Sequence, residues 1–227
     1  MALYAIGDLH LSLTANKPME VFGPAWEGYV DRIAEALGAL TAEDTLVLAG
    51  DTSWGMSLEE AEADFKFLDQ FPCKKYLVKG NHDYWWTTAA KLHRFFDERG
   101  IHTLDILHNN CFFYGDYAVC GTRGWFLEED AHNVKVLNRE VGRLEASLQA
   151  AGERRPILCF LHYPPVYQGY ECPEILKTLE KYHVSLCCYG HLHGHAIRRR
   201  LEGKRGETDF SLISADYLGF VPKKICD

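Results

Sequence analysis

The four residues Gly80-Asn81-His82-Asp83 place an amide oxygen, an imidazole and a carboxylate in one short loop. Such a trio can hold a cation, move a proton, or do both. Alone it is weak evidence, because Asn, Asp and Gly are also ordinary turn formers. The same grammar recurs along the chain. Leu3 to Ile6 runs into Gly7-Asp8-Leu9-His10, and Leu46 to Ala49 into Gly50-Asp51. Ile157 to Leu161 runs into His162, and Leu186 to Tyr189 into Gly190-His191-Leu192-His193. Each is a short apolar run that stops abruptly at a residue able to ligate a metal or transfer a proton.

The positioning elements follow from the spacing. Apolar runs of this length, bounded by Gly and polar residues, read as buried strands. Between them, Tyr29-Val30, Ile33, Ala36-Leu37 and Leu40 recur at helical spacing and predict a helix over Trp26 to Leu40. Ser57 followed by Glu60 is a capping-box signature for a helix that ends near Phe71, before Pro72. A third helix runs from Thr88 to Arg99 and stops at Gly100. This alternation predicts a parallel sheet with helices on its faces. In the second half, Cys111 to Tyr114 and Tyr117 to Cys120 flank Gly115-Asp116 as a hairpin. A charged helix from Glu129 to Ala150, the strand to His162, a Pro/Tyr-rich loop, a helix from Pro173 to Tyr182 and the strand to Gly190 follow. Ala196 to Leu201 and Phe210 to Ala215 read as a closing hairpin, with Arg198-Arg199-Arg200 on an exposed strand. The expectation is an α/β fold: a four-layer αββα sandwich of two mixed β-sheets flanked by helices, in one domain over residues 1–227.

In such sheets the crevice beyond the carboxyl ends of the strands collects side chains that are distant in sequence. On extended backbone, Asp8 with His10 and His191 with His193 would each point to one side, so that each pair could chelate one ion. The ligand candidates Asp8, His10, Asp51, Asn81, His162, His191 and His193 are too many for one tetrahedral ion and suit two. Carboxylate, imidazole and amide donors without thiolates fit manganese, iron or zinc. Asp51, alone at its strand end, is the candidate bridge between ions about 3.5 to 4 Å apart. Such a pair would acidify a shared water for attack at phosphorus, and His82 would protonate the departing oxygen.

Together, Asp8-x-His10, Gly50-Asp51, Gly80-Asn81-His82-Asp83, His162 and Gly190-His191-x-His193 resemble the motif series of the calcineurin-like metallophosphoesterases. The series covers residues 7 to 193 in the family's order. The resemblance implies the same double-sheet fold, with Asp8, His10 and His193 on a first metal, Asn81, His162 and His191 on a second, Asp51 bridging, and His82 as the acid. The protein serine/threonine phosphatases of that family continue the second block as Gly-Asp-x-x-Asp-Arg-Gly. Here it reads Gly50-Asp51-Thr52-Ser53-Trp54-Gly55, and the third block ends in Asp83 rather than Glu. The residue that orients the acid histidine in those phosphatases is absent, which turns the expectation away from phosphoproteins. Gly-Asp-Thr-Ser-Trp and Gly-Thr-Arg-Gly-Trp look instead like a bacterial branch of phosphohydrolases.

Composition narrows the partners. A formal charge of −8 argues against nonspecific nucleic-acid binding, which needs a basic stripe. A metal-dependent nuclease and a non-catalytic scaffold of the same fold are the competing readings, the second disfavoured because a scaffold has no need of His82. Eight cysteines without a CxxC pair, several inside apolar runs, read as reduced thiols of a cytoplasmic protein. No run approaches the roughly 20 apolar residues that span a bilayer. The expected substrate is a small phosphoester. Its candidate contacts are Arg123, Trp54, Trp85, Tyr163 and His195, with Trp86 and Trp125 as further members of an aromatic rim. His93, His102, His108, His132 and His183 lie away from the strand ends and read as structural.

Overall fold

The computed structural model of the chain describes residues 1–125, 134–153 and 156–227. His132 and the start of the expected charged helix lie outside them. In the first half the elements are β1 (Leu3–Ile6), α1 (Tyr29–Gly38), β2 (Thr45–Ala49), α2 (Leu58–Asp69), β3 (Lys74–Val78), α3 (Ala89–Arg99) and β4 (Leu104–Ile106). Then come β5 (Cys111–Tyr114), β6 (Tyr117–Thr122), α4 (Val134–Gln149), β7 (Ile157–Leu161), β8 (Val166–Tyr167), β9 (Tyr170–Glu171) and α5 (Pro173–Lys181). The chain closes with β10 (Val184–Tyr189), β11 (Gly203–Arg205), β12 (Thr208–Leu212) and β13 (Lys223–Cys226).

One sheet has the order β13-β1-β2-β3-β4, parallel except for β13. The other has the order β11-β12-β10-β7-β6-β5, with a parallel centre and antiparallel strands at both edges. Strands β8 and β9 form a separate small ribbon.

Side-chain alternation assigns the layers. Leu3, Ala5, Val47 and Ala49 face Val119, Leu158, Phe160, Cys188 and Ile213 in a core between the sheets. The opposite face of the first sheet, with Ile6, Leu46, Leu48 and Leu77, is covered by Ile33, Leu37, Phe65, Leu68 and Phe96 from α1, α2 and α3. The opposite face of the second, with Ile157, Cys159, Cys187 and Tyr189, is covered by Leu144, Leu148, Ile175 and Leu179 from α4 and α5. Strands buried on both faces read as unbroken apolar runs, which is why the sequence shows them so clearly. The result is the expected mixed α/β arrangement of two sheets flanked by helices.

Several local expectations are corrected. Helix α1 starts at Tyr29 rather than Trp26, because residues 24–26 form a 3-10 turn and Gly28 takes φ 60°. Ser57 caps α2 through the Glu60 amide, but the Glu60 carboxylate reaches the Met56 amide rather than closing the box on Ser57. Residues 194–199 form a 3-10 turn, not a strand: Gly194 takes φ 52°, and the Ala196 and Arg200 amides donate to the carbonyls of His193 and Ile197. Arg198 and Arg199 are therefore exposed on a turn, while Arg200 lies 4.5 Å over the Tyr217 ring. The closing hairpin instead joins β11 to β12. Strands β4 and β13 had no sequence signal, one being three residues long and the other starting with two lysines at a sheet edge.

Phe65 is fully buried and meets Trp85 and Phe96 edge to face at 4.8 and 5.5 Å. Replacing it by alanine is expected to cost about 3–5 kcal/mol in urea denaturation through lost transfer energy and the cavity left behind. Val21→Ala, at a side chain 72% exposed, should stay within about 0.5 kcal/mol.

Candidate metal centre

Strands β1, β2, β3, β7 and β10 deliver the candidate residues from their carboxyl ends, and backbone bonds continue past the strands to hold the exits together. The amides of Asp8 and His10 donate to the carbonyls of Gly50 and Asp51 at 2.8 and 2.9 Å. The Gly7 amide donates to Ile213, on the second sheet, at 2.7 Å. The Gly190 amide donates to the His162 carbonyl at 3.1 Å, and the His191 amide reaches Asp8 Oδ2 at 2.9 Å. Gly80 and Gly190 are required by close approach: a Cβ at the first would collide with Asp51 Oδ1, and at the second would stand 2.5 Å from Asp8 Oδ2.

Asp8, His10, Asp51 and His191 all take positive φ, at 60°, 48°, 50° and 71°. This left-handed conformation costs a non-glycine residue on the order of 1–2 kcal/mol and persists where the surroundings enforce it. It also corrects the argument from extended backbone. Asp8 and His10 do fall in one cluster, with His193, but His191 joins Asp51 and His162 in another. The turn at His191 splits the His191/His193 pair between the two groups. In each group one ligand atom per residue lies within 4.8 Å of the others.

Asp51 stands between them. Its Oδ2 is 3.8 Å from His10 Nε2 and 3.5 Å from His162 Nε2, one histidine from each group. Its Oδ1 accepts the His82 amide at 2.7 Å. The Asn81 side-chain oxygen lies 2.7 Å from His162 Nε2, while His162 Nδ1 faces the Ala49 carbonyl at 3.1 Å. His193 presents Nε2 to Asp8 Oδ1 at 3.3 Å and Nδ1 to Asp216 at 3.0 Å. Contacts of this kind on the far nitrogen fix a histidine's tautomer for ligation.

The electrostatics of the group are unbalanced. Burial works to raise Asp8, but His193, His162 and His10 outweigh it and hold its carboxyl well below the usual range. Burial and the Asp8 charge push Asp51 up to about 8. Burial and Asp51 push Asp83 up to about 7. Burial, reinforced by His193, carries His10 well below its ordinary value, and burial with His162 pushes His191 down to about 3. His193 goes the other way: Asp8 and Asp216 overcome its burial and raise it to about 10. Carboxylates that repel one another beside His10 and His191, both driven down by burial, favour a bound cation. His10 Nδ1 is buried with no hydrogen-bond partner among the described residues, so the donor set fits metal ions.

The pattern of the calcineurin-like phosphoesterases matches residues 1–195. The chain belongs to that family. No curated protein matches the sequence. Among solved structures it is similar to the protein of unknown function AQ665 from Aquifex aeolicus, at 14% identity over 98% of this chain and 95% of that one, with a TM-score of 0.54. It is also similar to TT1561 of Thermus thermophilus, at 13% identity over 99% and 97%, with a TM-score of 0.56. At such identities the likeness is one of fold.

Within this calcineurin-like phosphoesterase, the remaining candidates divide. Trp54 stacks on His10 at 4.9 Å and lies 4.4 Å from the His82 ring. Tyr163 packs against His162 and His191 at 5.2 and 4.7 Å. Arg123 stands 5.9 Å from the Tyr163 ring and is paired with Glu140. Trp85 does not belong to a rim: it is 3% exposed and packs on Phe65 in the helix-covered core. His195 is exposed on the 3-10 turn and lies in neither ligand group. Trp86 sits 5.4 Å from His108, and Trp125 lies beside Arg123.

Sequence reasoning missed three residues. Asp216, behind His193, follows β12 and the Ile213-Ser214-Ala215 exit, and so shows the same strand-then-acid grammar. Tyr84 places its hydroxyl 3.3 Å from His82 Nδ1. Asp83 is a clamp: its carboxylate accepts the amides of Gly80, Thr52 and Asp51 at 2.7, 2.8 and 3.0 Å, locking two ligand loops together. Asp83→Ala strands these amides and should destabilise the metal-free protein by on the order of 3 kcal/mol in urea denaturation. Asp83→Asn keeps one acceptor oxygen and removes repulsion with Asp51, so its effect should be clearly smaller. Equal stability of wild type and Asp83→Ala would contradict the clamp.

Proposed function

We propose that the chain is a hydrolase of small phosphoric esters working with two metal ions of the manganese, iron or zinc type. Asp8, His10 and His193 would hold one, Asn81, His162 and His191 the other, with Asp51 shared. The observation that carries this reading is Asp51 Oδ2 lying within 3.8 Å of a histidine from each group. Bound there, the ions would supply positive charge to the phosphoryl oxygens and lower the pKa of water.

The chain's own residues divide the rest of the work. His82 faces the same space as His10, with ring centroids 5.8 Å apart, and is the group that would protonate the departing oxygen. Its amide is tied to Asp51 and its Nδ1 to Tyr84, so backbone and ring are both aimed. Burial, with His162 and His193, lowers its pKa in the free protein. An anionic phosphoryl group alongside would act in the opposite direction and favour the protonated ring. Trp54 fixes the ring from the side and keeps the His10 imidazole in place by stacking. Thiolates take no part, which accords with Cys120, Cys159, Cys187 and Cys188 lying buried in the second sheet.

Protein loaded with manganese, iron or zinc should cleave p-nitrophenyl phosphate or bis-p-nitrophenyl phosphate. Inactivity on both with all three metals would overturn the reading. Leaving-group dependence isolates His82: His82→Ala should lower kcat by about 10²-fold on an alkyl phosphate, whose alkoxide needs a proton, but by less than about tenfold on p-nitrophenyl phosphate. Equal losses on both substrates would remove His82 from the acid role.

A further inference from the structure

A second concentration of charge adjoins the Asn81, His162 and His191 side of the site. Glu140 of α4 is fully buried, and its Oε1 takes Arg123 at 3.2 Å and also Arg143. One arginine would neutralise that carboxylate and tie α4 to the loop after β6. The second arginine, with Lys79 close by, sets three cations against the carboxylates of Glu140 and Asp83, an excess of one positive charge among the described residues. Asp83 uses its oxygens on backbone amides of the Gly80 and Thr52 loops and so is not free to pair directly with Lys79. His108 marks the crowding: burial, then Arg143, Lys79 and Arg123, push it down to about 4, so it stays neutral. In a chain of net charge −8 this local excess is not a by-product of general basicity.

The cluster adjoins the ligand loops. The Arg123 carbonyl accepts the amides of His162 and Tyr163 at 3.1 and 2.9 Å, and Lys79 immediately precedes the Gly80-Asn81 loop. One donor in it, Arg123 Nε, is buried without a hydrogen-bond partner among the described residues. Buried donors are ordinarily paired, and an anion would supply the acceptor that Arg123 Nε lacks. Guanidinium forks match the oxygens of a phosphoryl group, and a lysine adds a point charge.

We propose that Lys79, Arg123 and Arg143 form a subsite for a second phosphoryl group, so that the preferred substrates carry two phosphoryl groups, one cleaved and one held. This rests on the phosphoesterase reading, since it assigns the scissile group to the Asp51 centre.

The test is calorimetric binding to the metal-loaded protein of propylphosphonate and of ethane-, propane- and butane-bisphosphonates, which are not hydrolysed. At least one bisphosphonate should bind about tenfold or more tightly than propylphosphonate, and Lys79→Met and Arg143→Met should each cut that ratio to below about threefold. Arg143→Lys, which keeps the charge, should restore much of it. Equal affinity of the wild type for all four compounds overturns the proposal. So does a ratio that survives both methionine substitutions, which is the result chelation by the ions alone would give. Turnover of p-nitrophenyl phosphate on the same preparations separates the two readings. Turnover without a bisphosphonate preference sinks the subsite alone, and a Lys79-dependent preference without turnover sinks the catalytic reading alone.

Discussion

Two buried carboxylates that repel each other govern this structure. Asp8 and Asp51 are almost wholly removed from water, and the charge of the first helps to drive the second up to about 8. A fold tolerates such a pair only if something positive compensates it, because an isolated buried charge costs several kcal/mol. Of the surrounding histidines, Asp8 and Asp216 pull the pKa of His193 up, while burial drives those of His10 and His191 down. Neutral imidazoles offer lone pairs rather than charge, so the site is deficient in positive charge and rich in donor atoms at the same time.

Everything around the pair serves to keep it from relaxing. Both sheets contribute to the same few ångströms: β1 exits beside β2 in the first sheet, and its Gly7 is bonded to Ile213 of the second. Left-handed backbone at Asp8, His10, Asp51 and His191 is strain held in place by these cross-links. Asp83 adds a buried carboxylate that touches no ligand group through its side chain and instead binds the loops that carry Asp51 and Asn81. Packing on both outer faces then fixes the strands. The centre lies where two sheets meet.

Much of this was legible in the sequence, for a physical reason. Parallel strands covered on both faces must be continuous apolar runs, so their ends are sharp, and a run that stops at Asp or His announces both the strand and the site. The order of these ends, from Asp8 to His193, also carried the family resemblance. What failed was geometry that depends on local backbone. Two-residue alternation placed His191 and His193 together, whereas the family resemblance divided them as the structure does, with His191 on left-handed rather than extended backbone. Trp85 and Trp86 are neighbours in sequence, and only the structure shows that the first is packed on Phe65 and the second lies against His108. Asp216 directly follows the expected strand Phe210 to Ala215, but its role depends on the contact with His193 Nδ1, which spacing does not show. Glu140 had the look of a surface helix charge, and its burial between two arginines depends on contacts made across the fold.

The central claim is that the two groups hold a pair of cations with Asp51 reaching both. Crystals grown or soaked with manganese, measured with anomalous scattering at the manganese edge, test it most directly. The account predicts two peaks per chain, one among Asp8, His10 and His193 and one among Asn81, His162 and His191, with an Asp51 oxygen in contact with each. A single peak, or metal bound away from Asp51, would contradict it.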